Sequence, residues 1–153
     1  MAGLWFEEYE VGRTYRHAGG RTVTETDNLF FTALSMNPAP LHLDAEYART
    51  TPYKRQLVTS VFTLGLVMGL SVTDLFAGTS YGNLGFDRIT FPNPVFIGDT
   101  LRAETEIVSK RESRSRPEAG IIQVVHRGYN QRDELVVEAA RAGLSMKRPD
   151  GAA

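Results

Sequence analysis

A single histidine, His42, closes the run Ser35-Met36-Asn37-Pro38-Ala39-Pro40-Leu41-His42, and Leu43-Asp44-Ala45-Glu46-Tyr47-Ala48 follows at once. Proline fixes its own φ and restrains the residue before it, so Pro38 and Pro40 predict a stiff, extended loop. A rigid loop that presents one imidazole at one place suits acid–base chemistry near neutral pH. Asn37, five places earlier, cannot act as a base, but its amide oxygen can orient water and its nitrogen can donate. The bland alternatives are a histidine that braces the loop through backbone hydrogen bonds and an asparagine that only starts an Asn-Pro turn.

Other chemistry-bearing residues are few. With no cysteine there is no disulfide framework, no thiolate nucleophile and no thiolate metal ligand. His17, His42 and His126 are far apart and lack metal-ligand spacing, so no metal site is expected, and His17 and His126 read as surface or sheet residues. No Gly-rich phosphate loop or Ser-His-Asp order is present. Cations gather at Lys110, Arg111, Arg114 and Arg116, diluted by Glu112 and Glu118. Such a run is either a solvated face or a set of phosphate partners. Arg55 and Arg88 are further candidates to meet an anionic group.

The chain has 153 residues, 42% of them hydrophobic and 23% charged, which predicts one globular domain over 1–153. A formal net charge of −1 argues against a general nucleic-acid binder. Residues 1–8 show no basic region leading into an apolar stretch, so no signal peptide is expected. The most apolar run, Val58 to Val72, is interrupted by Thr59, Ser60, Thr63 and Ser71 and is short for a bilayer. These features predict a cytoplasmic protein without a membrane partner.

Several elements must position the histidine. Arg13 to Val23 reads as a strand, a turn at Gly19-Gly20 and a second extended piece. Thr24 is a good N-cap, with Asp27 as its capping-box partner, for a helix ending near Ser35 whose stripe is Leu29, Phe30, Ala33 and Leu34. A short helix should run from Asp44 to about Arg49. From Thr59 or Ser60 to Leu70 the apolar residues occupy nearly every face, which predicts a helix buried on nearly all sides. Gly65 and Gly69 would give it a smooth face for close packing. Tyr81 to Phe91, Thr100 to Ser109, Ile121 to Tyr129 and Glu134 to Met146 read as strands, the last two joined by a turn at Asn130-Gln131-Arg132-Asp133. Lys110 to Glu118 should be a solvated loop. Helices followed by antiparallel strands make an α+β domain.

The histidine segment resembles the signature of the MaoC-like, (R)-specific enoyl-CoA hydratases, roughly G-D-x-N-P-[LIV]-H. Pro40, Leu41 and His42 match it directly, while Asn37 stands at the family's Asp position and Ala39 at its Asn position. The family's Gly-Arg-x-x-x-His-Gly stretch corresponds to Tyr53 through Ser60, with Thr59-Ser60 in place of His-Gly. Phe86 to Val95 and Ile97-Gly98-Asp99-Thr100-Leu101 resemble its F-x-x-P-V-x-x-G-D-x-L strand pair. The paired replacements are similar to the subgroup acting on itaconyl-CoA and mesaconyl-CoA, branched dicarboxylic thioesters.

The resemblance implies a hotdog fold, a curved antiparallel sheet wrapped around one apolar helix, assembled as a homodimer or larger homo-oligomer. It implies water addition to, or loss from, an acyl-CoA substrate, with no other cofactor. His42 would be the acid/base and Asn37 its water-orienting partner. Backbone N–H groups at Val58, Thr59 and Ser60 would form the oxyanion hole, with Arg55 beside them. For Asn37, the substrate's own second carboxylate supplying the missing charge and acyl-thioester binding without catalysis remain open beside the water-orienting role. A thioesterase is disfavoured because Val61 to Leu70 carries no carboxylate.

Overall fold

The period-two alternation of the C-terminal half produces an antiparallel sheet in the computed structural model, which describes residues 3–149. Residues 1–2 and 150–153 of the expected single domain lie outside the described residues. The strands are β1 (Thr14–Arg16), β2 (Arg21–Thr22), β3 (Ser80–Thr90), β4 (Thr100–Glu112), β5 (Ala119–Tyr129) and β6 (Leu135–Met146). Their spatial order is β1-β4-β5-β6-β3, with β2 also paired to β4. In β4, Leu101, Ala103, Thr105 and Ile107 are buried and Arg102, Glu104 and Glu106 half-buried, as the alternation requires. The strand also runs further than expected: Lys110, Arg111 and Glu112 pair with Ile122, Ile121 and Gly120. At the β5–β6 turn, the Asn130 side-chain oxygen accepts from the Arg132 and Glu134 N–H groups, and Asp133 takes φ 59°.

The apolar run becomes α4 (Ser60–Leu75), which packs on the sheet through Thr63, Leu64, Val67, Ser71 and Leu75. It continues past Leu70 because Ser71, Thr73 and Asp74 do not break a helix that is already packed. Where β5 passes beneath it, only a glycine fits: a Cβ on Gly128 would stand 2.4 Å from a Val67 methyl and 2.8 Å from a Val137 methyl. Gly128→Ala is therefore expected to destabilise the fold by about 1–3 kcal/mol through overpacking. Chemical denaturation reads this directly, and an unchanged midpoint would mean that the helix shifts freely.

One sequence expectation about burial is corrected. The sheet covers only one side of α4, so the opposite side is open in a single chain: Val61 is 58% and Val72 45% exposed, and nothing lies within 4 Å of a Cβ built on Gly65 or Gly69. The helix α1 (Glu25–Leu34) forms with the expected Thr24–Asp27 capping box and turns its apolar stripe outward. Leu29, Phe30 and Leu34 are 55%, 63% and 82% exposed, whereas Asn28 and Thr32 are buried. The reason is hydrogen bonding: Asn28 has backbone partners inside that an apolar side chain could not satisfy.

Between α1 and α4 lie two short helices, α2 (Pro40–Leu43) and α3 (Ala45–Thr50). The second was expected and is capped by the Asp44 side chain, which accepts from the Tyr47 N–H at 3.0 Å. The first was not. Pro40 occupies its first turn, where no N–H is needed, so the proline that suggested an extended loop starts a helical turn instead.

Candidate functional site

His42 sits in α2 and is held from both ends. Its backbone carbonyl accepts from Asn28 Nδ2 at 3.1 Å and from Gln56 Nε2 at 3.3 Å. Its Nδ1 lies 2.7 Å from the Leu57 carbonyl oxygen. A carbonyl can only accept, so Nδ1 carries the proton and the neutral ring presents Nε2 as a lone pair. The chain on which it rests is itself fixed: Leu57 N–H donates to the Leu41 carbonyl at 3.2 Å, and Leu57 bridges to Phe96.

Just beyond Leu57 the N-terminus of α4 opens on a cavity of about 280 Å³, lined by Leu57, Ser60 and Thr63 on one side and Phe91, Pro92 and Val136 on the other. This is near the lower end of small-ligand sites. Of the three residues expected to supply N–H donors, two are already engaged. Val58 N–H donates to the Val95 carbonyl at 2.9 Å, and Thr59 N–H to Asn28 Oδ1 at 3.1 Å. Both residues are buried, and Thr59 serves as N-cap. Ser60 alone of the three is exposed, and among the described residues its N–H and that of Val61 have no partner. The helix positive end is thus delivered one residue later than expected.

Asn37 is half-buried and directs its Oδ1 to the Ala39 N–H at 3.1 Å, the turn-forming arrangement weighed against a catalytic one. It lines a surface groove with Leu29, Ala33, Met36, Pro38 and Leu43, none of which lines the cavity at Ser60. Arg55 is exposed and lies over the Phe96 ring, 3.7 Å from its centroid, with Tyr53 edge-on to the same ring. Arg88 is drawn to Glu138, at 3.6 Å.

The cationic loop is not brought to this site within one chain. Lys110 donates to the Phe6 and Glu7 carbonyls, Phe6 packs with Leu75, and Arg116 lies over Tyr81. Arg111 donates to the Glu112 carbonyl at the end of β4, and Arg114 is exposed in the loop that follows. That is the C-terminal end of α4, and at 1.5 Å per residue the two ends of the helix are roughly 22 Å apart. The Gly98-Asp99 pair also proves to be loop architecture. Gly98 takes φ 94°, and Asp99 accepts from the Phe96 N–H, Gln131 and Arg132.

A second polar cluster lies under the sheet near the far end of α4: His126 is a sheet residue of β5, as expected, but neither it nor His17 is at the surface. His17 and His126 are both buried. Arg141 Nε donates to His126 Nε2 at 2.9 Å, so His126 carries its proton on Nδ1 and donates to Thr105 Oγ1 at 2.8 Å. The Thr105 hydroxyl donates in turn to His17 Nε2 at 2.8 Å, and His17 Nδ1 faces Asp74 Oδ2 at 2.8 Å. Burial first, and then the Arg141 charge, hold the His126 pKa down to about 3. The relay joins a buried guanidinium to a carboxylate through two imidazoles and a hydroxyl.

A model of the family described as MaoC like domain matches residues 7–130. Over 151 residues the chain is 34% identical to a mesaconyl-CoA hydratase from Cereibacter sphaeroides, covering 99% of this chain and 43% of that protein. Among solved structures, one described as a MaoC domain protein dehydratase from Chloroflexus aurantiacus gives a TM-score of 0.90 at 30% identity, over 99% of this chain and 42% of that one. A double-hotdog protein from Mycobacterium tuberculosis gives 0.85 at 22% identity, over 99% and 46%, a likeness of fold alone. The chain spans less than half the length of each of these three.

Proposed function

The chain belongs to the MaoC-like domain family, and from that premise we propose that it adds water to, or removes it from, the α,β bond of an acyl-CoA thioester. The observation that carries this reading is the His42 Nδ1 bond to the Leu57 carbonyl, which leaves Nε2 as a base. In the hydration direction Nε2 takes a proton from water as the water oxygen bonds to Cβ. The same nitrogen returns the proton to Cα as the enolate collapses, so the elements of water are added and nothing is oxidised or reduced. Charge that builds on the thioester oxygen is met by the N–H groups of Ser60 and Val61 with the dipole of α4 behind them. Asn37, its oxygen engaged in the turn and its groove apart from the cavity at Ser60, keeps only its Nδ2 for the expected water-orienting role. The chemistry is proton transfer and charge stabilisation, so the reading includes no metal or redox cofactor.

The substrate class proposed is a branched dicarboxylic thioester, in keeping with the relative named as a mesaconyl-CoA hydratase. Arg55, exposed beside the Leu57 segment, pairs with the distal carboxylate in this reading. Arg55→Gln is expected to raise KM for mesaconyl-CoA by about tenfold, the loss of one exposed charged pair of about 1–1.5 kcal/mol, and to leave crotonyl-CoA unaffected. Equal effects on the two esters in steady-state kinetics would remove Arg55 from the carboxylate site. The engaged Asn37 oxygen favours one second reading, acyl-thioester binding without turnover. Tight binding of mesaconyl-CoA with no loss of its enoyl absorbance would select it.

A second copy of the chain completes the fold in this proposal. Three apolar surfaces are left open: the Gly65–Gly69 side of α4, the exposed stripe of α1, and edge strand β3, where Tyr81, Leu84, Phe86 and Ile89 are all at least 36% exposed. Uncovered edges and patches of this kind invite pairing. Light scattering on the purified chain is expected to return twice the chain mass, and a monomer at micromolar concentration would reject the assembly.

A further inference from the structure

The Asn28 side chain reaches both halves of the proposed site. It stands one turn into α1, 1% exposed, and all its hydrogen-bonding capacity is spent on segments other than its own helix. Nδ2 donates to the His42 carbonyl at 3.1 Å and to the Leu57 carbonyl at 3.3 Å. Oδ1 accepts from the Thr59 N–H at 3.1 Å and the Thr59 hydroxyl at 3.3 Å. The Leu57 carbonyl is also the acceptor that holds the His42 ring. Thr59 is the N-cap of α4, whose next two N–H groups are the free donors.

We propose that Asn28 is the positioning residue that sets the His42 ring and the N-terminal donors of α4 in one frame. The proposal rests on the hydratase reading, since only there do the two parts act on one substrate. The chemistry of the amide explains why this residue type is needed. The site offers two carbonyls on one side and an N–H with a hydroxyl on the other. A planar group with two donors and one two-lone-pair acceptor meets all four, whereas a carboxylate would face two carbonyls and an aliphatic side chain would leave four polar groups unmet. Thr32, one turn further along α1, differs: its hydroxyl bonds only to the Asn28 and Leu29 carbonyls of its own helix. Asn28 touches no reacting atom and acts through Leu57, His42 and Thr59.

The test uses the full chain with Asn28→Ala and Asn28→Asp, assayed well below each variant's melting temperature with mesaconyl-CoA. Asn28→Ala is expected to lower kcat by about 30- to 100-fold with KM within about threefold, because misplacement of an acid–base group acts on the transition state. Asn28→Asp keeps the shape. Its buried carboxyl, when protonated, regains one donor for a carbonyl and keeps the acceptor for Thr59. Its activity relative to the unmodified chain should therefore rise between pH 8 and pH 6, a change that a simple loss of stability does not produce. Nitrogen NMR of the His42 ring provides a readout independent of turnover: one Nδ1–H tautomer in the unmodified chain, a mixture in Asn28→Ala. A folded Asn28→Ala with unchanged kcat and an unchanged tautomer overturns the proposal. If the unmodified chain hydrates no enoyl thioester, the function reading fails, and the tautomer alone then decides whether Asn28 positions His42.

Discussion

His42→Ala is expected to abolish hydration of an enoyl-CoA thioester to within background, a loss of about 10³-fold or more in kcat, while the melting temperature changes little. The magnitude follows from the two jobs that the proposed mechanism gives the ring, removing a proton from water and returning it to carbon, since a positioned acid–base group contributes typically about 10²–10⁴-fold for one such step. Asn37 cannot substitute, because it has no ionisable proton and its oxygen is engaged by the Ala39 N–H. Stability should hold because the ring is only half-buried in α2 and makes one hydrogen bond of its own, while its backbone carbonyl keeps both partners. Circular dichroism with stopped-flow hydration kinetics checks both halves of the expectation. Retention of more than a tenth of the activity in a folded variant would mean that the proton is carried elsewhere.

The second large effect is on stability and comes from His126. In the unfolded chain a histidine titrates near 6.5, whereas folded His126 is held to about 3 by burial and the adjacent Arg141. Between those values the unfolded state binds a proton that the folded state refuses. This contribution is therefore complete above about pH 6.5 and is lost as pH falls, by up to about 1.4 kcal/mol per pH unit. Carboxylates add their own acid losses, so the informative quantity is a difference between two proteins. His126→Gln can accept from Arg141 through its oxygen and donate to Thr105 through its nitrogen without titrating. Its denaturation midpoint should fall less steeply between pH 7 and pH 5. His126→Ala removes the acceptor for the Arg141 Nε–H and the edge of the Phe76 contact at 6.0 Å. A loss of roughly 3–5 kcal/mol at pH 7 is expected, since a buried charge is left without its partner. Parallel pH profiles for the unmodified chain and His126→Gln would show that the imidazole is not the group that titrates.

What was legible in the sequence was the periodicity and the motif, and what was hidden was polar and long-range. The alternation in Thr100–Ser109 and the near-continuous apolar run after Thr59 announced β4 and α4, because backbone period and burial are local properties. The capping box at Thr24 announced α1. The stripe at Leu29, Phe30, Ala33 and Leu34 did not reveal that this face points outward. The available signal was the polar pair Asn28 and Thr32, four apart on the other face, where side-chain hydrogen bonds outweighed hydrophobicity. The turn α2 escaped because Pro40 reads as extended until something follows it that can start a helix. His42 was singled out by its motif. Its anchor on Leu57 was not, since a backbone carbonyl fifteen residues away leaves no mark in the sequence. The relay was invisible for a similar reason: His17, Asp74, Thr105, His126 and Arg141 come from separate segments and meet only when the sheet closes over α4.

The most direct measurement is incubation of the purified chain with mesaconyl-CoA in deuterated water, following the loss of enoyl-thioester absorbance and the mass of the product. Absorbance is expected to fall and the product to gain the elements of water with one deuterium on Cα, His42→Ala giving neither. Binding of the ester with its absorbance intact, and no deuterium entering the acyl chain, would rule out hydration by this chain.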